Sequence, residues 1–155
     1  MNSKTRFLIL LISIFALSGC KQVYKDMLNL MNSIKADKKE VEVLSNGSYT
    51  LEEMEKVALY FRKVNKLALG VINDPKVPKK IGKYLDKQDI PKLCSELLID
   101  SKTYDEIIDS CDINGFFTCS EETRYYKEFV TAFVKKLPSD VRKEFQNTPE
   151  CQVTN

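Results

Sequence analysis

Between residues 50 and 70 the apolar side chains recur at intervals of three and four, and only one backbone geometry suits that spacing. Leu51, Met54, Val57, Ala58, Phe61, Val64, Leu67 and Ala68 fall on one face of a 3.6-residue helix. Its start is also written in the chain. Thr50 and Glu53 have the spacing of a capping box, in which the hydroxyl and the carboxylate each accept from a backbone N–H that the helix leaves free. Gly70 stands where such a helix would end, because glycine takes the left-handed conformation cheaply.

The same period runs through the rest of the chain. Val23, Met27, Leu30, Met31 and Ile34 predict a helix over 22–36. Residues 37–49 are charged and then turn-like, and read as a linker, with a short strand over 41–44 as a weaker option. Asp74-Pro75 and Pro78 break the chain, and a short helical segment over 78–87 contains Gly82. Asp89 with Pro91 predicts a capped start to a helix carrying Leu93, Leu97 and Leu98. Ser101 is placed to cap the next, with Tyr104, Ile107, Ile108 and Cys111. Asn114-Gly115 is a turn signal, and Thr118 with Glu121 has the spacing of a second capping box. The helix beyond carries Tyr125, Tyr126, Phe129, Val130, Phe133, Val134 and Leu137 before Pro138 stops it. Ser139 or Asp140 then caps a last helix through Phe145. The expected fold class is all-α: a small, irregular, disulfide-stapled bundle of about five or six helices, with antiparallel neighbours because the connections are short.

The N-terminus follows other rules. Lys4 and Arg6 precede an apolar run from Phe7 to Leu17, interrupted only by Ser13, and Leu17-Ser18-Gly19-Cys20 follows. At about eleven residues the run falls short of the roughly 20 that span a bilayer, so it reads as a secretory signal. Leu17-Ser18-Gly19-Cys20 resembles the lipobox of bacterial lipoproteins. That resemblance implies diacylglycerol in thioether linkage to Cys20, cleavage before it, and acylation of the new amine. Two or three acyl chains at ~0.8 kcal/mol per buried methylene make a lasting membrane anchor. With Lys21 where an aspartate would favour inner-membrane retention, the resemblance implies the outer membrane if the host is Gram-negative. The chain then divides into a removed signal (1–19), an anchor with a short helix and linker (20–49), and a helical domain (50–155).

Cleavage alters the composition that matters. Without Lys4 and Arg6, the 24 basic residues become 22 and balance the 22 acidic ones, so no basic excess points to nucleic acid. Cys94, Cys111, Cys119 and Cys151 remain after Cys20, an even set in an oxidising compartment, and they predict two disulfides. No Cys-x-x-Cys pair and no histidine occur, so no metal site is expected and no cofactor is implied. Three pairings are possible. If 91–99 and 102–111 form an antiparallel hairpin, Cys94 and Cys111 meet at its open end. The helix after Cys119 rises about 27 Å, and its return brings Cys151 back beside Cys119. Cys94–Cys111 with Cys119–Cys151 is therefore favoured over Cys94–Cys151 with Cys111–Cys119.

The residue inventory points away from catalysis. Without histidine there is no Ser-His-Asp triad or Cys-His pair, and no glycine-rich phosphate loop is present. Neighbouring carboxylates such as Glu52/Glu53 and Glu121/Glu122 point about 100° apart on a helix and read as solvated faces. Lys76, Lys79, Lys80, Lys83 and Lys87 crowd one segment, and Glu96, Asp100, Asp105, Glu106, Asp109 and Asp112 the next. The two can neutralise each other across the bundle, or the lysine patch can meet an anionic partner. Phe116-Phe117 is expected to pack beneath Cys119, with an exposed hot spot as the alternative. The expected function is a non-catalytic binding module, of the kind found in immunity-type inhibitors or accessory subunits. It would be lipid-anchored in the bacterial envelope and would meet a protein partner there. The alternative is a carrier of a small apolar ligand or lipid, held between the aromatic faces of the two long helices.

Overall fold

A computed structural model describes residues 21–44, 49–74 and 86–152. Six α-helices lie among them: α1 (Lys21–Leu44), α2 (Leu51–Ile72), α3 (Ile90–Leu97), α4 (Ser101–Ile113), α5 (Phe117–Lys136) and α6 (Ser139–Asn147). A 3-10 turn at Lys87–Asp89 leads into α3 and another at Pro149–Cys151 follows α6; no strand occurs among the described residues. The fold is a small all-α bundle. Its centre is α2, packed along α5 on one side and α1 on the other. The shorter α4 lies on α5, and α3 spans from α1 to the C-terminal turn.

The capping box forms as expected. Glu53 N donates to Thr50 Oγ1 (3.3 Å) and Thr50 N to Glu53 Oε2 (2.7 Å). The helix runs two residues past Gly70 and is closed by Asn73, whose N–H reaches Leu69 O at 3.0 Å. Because two helices flank α2, it buries more than one stripe. Tyr60, outside the predicted face, is fully buried, whereas Leu51, assigned to that face, is exposed. A helix covered on both sides needs apolar residues around most of its circumference.

The expected linker over 37–49 is corrected. Residues 37–44 continue α1 in helical form, and no strand forms over 41–44. Met31, Ile34, Lys38 and Val41 make one buried stripe, so α1 belongs to the same core as the segment beginning at residue 50. Lys38 hides the pattern because its methylene stem packs in the stripe while its ammonium finds oxygen. That ammonium donates to the Ser95 carbonyl and pairs with Glu42 at 2.7 Å, one turn on. Lys63 of α2 also reaches back to Asp37 (2.5 Å) and Ser33 (2.7 Å). The charges that look like a linker are part of the helix seam.

Four caps differ from expectation, among them that of α6, which starts at Ser139 after Pro138 and has no side-chain cap bond from Ser139 or Asp140. Asp100, not Ser101, caps α4, accepting from Thr103 N at 3.0 Å. Asp86 caps the first 3-10 turn through Gln88 N, and Asp89 makes no side-chain cap bond. The second capping box does not form, because α5 starts at Phe117, one residue before Thr118. The α4–α5 turn leaves no room for it. Phe116 N donates to Cys111 O (3.0 Å) and Gly115 N to Asp112 O (3.3 Å), with Gly115 at φ +67°. This is a Schellman closure, and only glycine adopts that φ without strain.

The favoured disulfide pairing is also overturned. The bonds are Cys94–Cys151, with Cα atoms 4.9 Å apart, and Cys111–Cys119, at 5.7 Å. The supposed α3–α4 hairpin fails on length. α3 has 8 residues and α4 has 13, and residues 98–100 between them are not helical. Cys111 therefore rises about 15 Å beyond the start of α4, where it lies 3.7 Å from Met54 Sδ of α2. The tight turn brings Cys119 back to it. α3 instead packs on the C-terminal turn, which carries Cys151.

Candidate functional site

Two long helices meet through rings. Phe61 of α2 lies 4.9 Å from Tyr126 of α5, edge to face, and Tyr104 of α4 stacks on Tyr126 at 5.8 Å. The phenol groups in this cluster grip main chain. Tyr60 Oη donates to Leu97 O (2.7 Å), Ile99 N donates to Tyr126 Oη (3.1 Å), and Tyr104 Oη donates to Thr123 O (3.1 Å). Leu98 and Asp100 are extended, so without the tyrosines this stretch would leave buried peptide groups unpaired. Burial pushes all three phenols above their ordinary range. They stay protonated near neutrality and act as hydrogen-bonding groups in the core.

The surface above this core opens into a groove of about 560 Å³. Leu51, Met54, Ala58 and Leu59 of α2 form one wall, and Phe116, Phe117 and Cys119 the other. The Schellman turn explains the exposure of one ring. Phe116 packs against the core, while Phe117, about 100° further round the new helix, is 76% exposed. Leu51 is 62% exposed and Leu59 43%. Of the Phe116-Phe117 pair expected to pack beneath Cys119, Phe116 is half-buried against the core, while Phe117 is corrected to exposed.

Charge and hydrogen bonding fix the groove's far end. Arg62 Nε meets Glu122 Oε1 at 2.9 Å. The buried Asn65 donates through Nδ2 to Glu122 O (3.0 Å) and Oε2 (3.1 Å). This trio clamps α2 to α5 and went unread in the sequence, where Asn65 looks like an ordinary polar interruption. Its position one residue after Val64 and three before Ala68, within the buried arc, is the signal that was there to find.

Only part of the two charged segments lies within the described residues. Lys76, Lys79, Lys80 and Lys83 lie outside the described residues, as do Cys20 and the signal segment. Lys87 is exposed in the first 3-10 turn and pairs with Asp140 of α6 at 3.7 Å. Acids of the following segment find bases on other elements: Glu96 with Lys35 (2.6 Å) and Asp112 with Arg124 (3.6 Å). Asp100 is held by its role as a cap. Burial works to raise its carboxyl, but hydrogen bonds from the Thr103 backbone and hydroxyl outweigh that and hold it below the ordinary carboxylate range. Among the described residues no cluster of three or more His, Cys, Asp or Glu could hold a metal ion, and no helix is long and apolar enough to cross a membrane. Comparison of the chain with protein-family models, with curated proteins and with solved structures finds no match in any of the three.

Proposed function

We propose that this protein is a bacterial envelope lipoprotein anchored through Cys20, and that its bundle is a non-catalytic module that binds another protein through the groove beside the α4–α5 turn. The observation that carries the reading is the exposed Phe117, facing solvent beside Leu51 and Leu59 at the mouth of an apolar groove. A buried aromatic anchor ringed by polar groups is the usual energetic centre of a protein interface. Here Glu55 and Arg62 supply the charges beside the apolar walls. The carrier alternative requires a hollow between the faces of α2 and α5. Phe61 and Tyr126 meet there at 4.9 Å, which favours the interaction reading.

The length of α1 bears on how the domain would be held. The helix begins at Lys21, next to Cys20 in the chain, and Met31 is already in the core. Ten residues of helix rise about 15 Å, so the anchor would connect to the bundle through a stiff helix. With Lys21 after the acylated cysteine, the lipobox resemblance favours the outer membrane if the host is Gram-negative.

Two experiments test the two halves of the proposal. A photo-crosslinking residue at Phe117 or at Leu51, in the native host, is expected to capture one common protein that is not captured from Asn32 on the exposed side of α1. Capture that is equal from all three positions, or absent from both groove positions, refutes the interface. Cys20→Ser is expected to leave an uncut precursor without lipid; normal processing of that variant refutes the lipoprotein assignment.

A further inference from the structure

A second concavity lies at the other end of the bundle, where α5, α6 and the C-terminal turn converge. Val130, Val134 and Phe145 are apolar groups of its wall, and Cys151, bonded to Cys94, adds its disulfide. Its volume is about 300 Å³, at the lower end of the range for small-molecule sites. The polar groups that line it are Thr131, Lys135, Arg142, Gln146 and Gln152, two cations and three neutral side chains with no carboxylate among them. The groove beside the α4–α5 turn differs in this respect, since Glu55 lines it together with Arg62, whose guanidinium meets Glu122.

Arg142 is placed by the fold rather than by a counter-charge. Its Nη2 donates to Leu137 O at 3.3 Å, closing the C-terminal end of α5, and its Nε is buried with no hydrogen-bond partner. A guanidinium has five N–H donors in a planar fork suited to carboxylate; its Nε is out of a ligand's reach, and the single bond to Leu137 O leaves donors on the Nη groups for one. Gln152 is also positioned, since its Nε2 donates to Gln146 O at 2.7 Å across the mouth. A cation pair over an apolar wall selects a molecule with one anionic end and a hydrocarbon body.

We propose that this cleft binds a small amphipathic monocarboxylate, with the carboxylate between Arg142 and Lys135 and the hydrocarbon against Val130, Val134 and Phe145. This is a separate site from the groove at the α4–α5 turn, and it does not depend on the interaction reading. The apolar wall distinguishes such a ligand from inorganic anions, and the cations distinguish it from neutral apolar molecules.

The test uses the full chain, in lipid nanodiscs where the N-terminus requires them, with hexanoate as the probe. Side-chain amide signals of Gln146 and Gln152 and methyl signals of Val130 and Val134 are followed by NMR. Hexanoate is expected to shift them saturably at about millimolar concentration, as suits so small a ligand. Hexanamide, acetate and inorganic phosphate are each expected to bind about tenfold more weakly or worse, having lost either the charge or the hydrocarbon contact. Thr131→Trp, which fills the cleft and leaves both cations, and Arg142→Met are each expected to weaken hexanoate by about tenfold. Because Arg142 also closes α5, the exposed Lys135→Met is the variant least able to disturb the fold, and a loss of several-fold is expected from it. Absence of saturable shifts refutes the site. Hexanamide or phosphate binding as well as hexanoate refutes the ligand class, and unchanged binding in Thr131→Trp or Lys135→Met refutes the location.

Discussion

The two disulfides of this bundle hold very different lengths of chain. Cys111–Cys119 spans eight residues, across a turn that the Schellman hydrogen bonds already close. Cys94–Cys151 spans 57 residues and ties α3, early in the second half of the chain, to the C-terminal turn. Loop-closure entropy makes the longer link the stronger constraint on the unfolded chain, at about 4 kcal/mol against about 2.5 for the shorter. Each bond also forms part of one surface concavity: Cys119 lines the groove beside Phe117, and Cys151 lines the cleft beside Arg142. One bond secures a turn that local forces favour. The other secures an association that little else in the local sequence specifies.

The largest test of this difference is the double replacement Cys94→Ala/Cys151→Ala. It should lower the unfolding free energy by about 4 kcal/mol in urea denaturation and loosen α6 and the C-terminal turn first. Cys111→Ala/Cys119→Ala should cost about 2.5 kcal/mol by the same measurement. An equal or larger loss from this short-loop pair would overturn the comparison. Gly115→Ala sharpens it further. A Cβ there meets nothing within 4 Å, so the penalty is purely that of the left-handed backbone at φ +67°, about 1 kcal/mol. If the disulfide and the turn do the same work, the cost of Gly115→Ala should rise when Cys111 and Cys119 are alanine, which a double-mutant cycle reads directly.

The smallest expected effect is at Asp100, in the connection between α3 and α4. Its carboxyl titrates below the ordinary range in the folded protein, because the Thr103 hydrogen bonds overcome the opposing effect of burial. The charged form therefore favours folding above the unfolded carboxylate pKa, and that contribution is lost as pH falls through the lowered folded value. Asp100→Asn should lower the urea midpoint slightly near neutrality and converge with the original protein in strong acid. A constant difference across that range would show that charge at this cap is irrelevant.

Where an element is bounded by residues acting on their own neighbours, the sequence is readable. Thr50 and Glu53 cap α2, Pro138 follows the end of α5, and Gly115 makes the turn that its dipeptide suggests. These features depend on backbone groups within five residues. The groove was less legible. Leu51 and Phe117 are apolar residues in helical register, and nothing local indicates that no neighbouring helix covers them. The cleft was less legible still, because Lys135 and Arg142 share it only through the reversal at Pro138 and the docking of Cys151.

The sequence by itself determined the helical class, most helix positions, the even cysteine set and the lipobox-like Leu17-Ser18-Gly19-Cys20 at the N-terminus. Periodicity and capping are short-range effects, and the residues concerned are near one another in the chain. Tertiary structure alone decided that α1 extends through its charged half into the core, with Lys38 buried against Ser95. It also decided that Cys94 meets Cys151, because helix lengths and the packing of α3 on the C-terminal turn set which thiols approach. Pairing and burial depend on which surfaces cover each other, and that is a property of the assembled bundle.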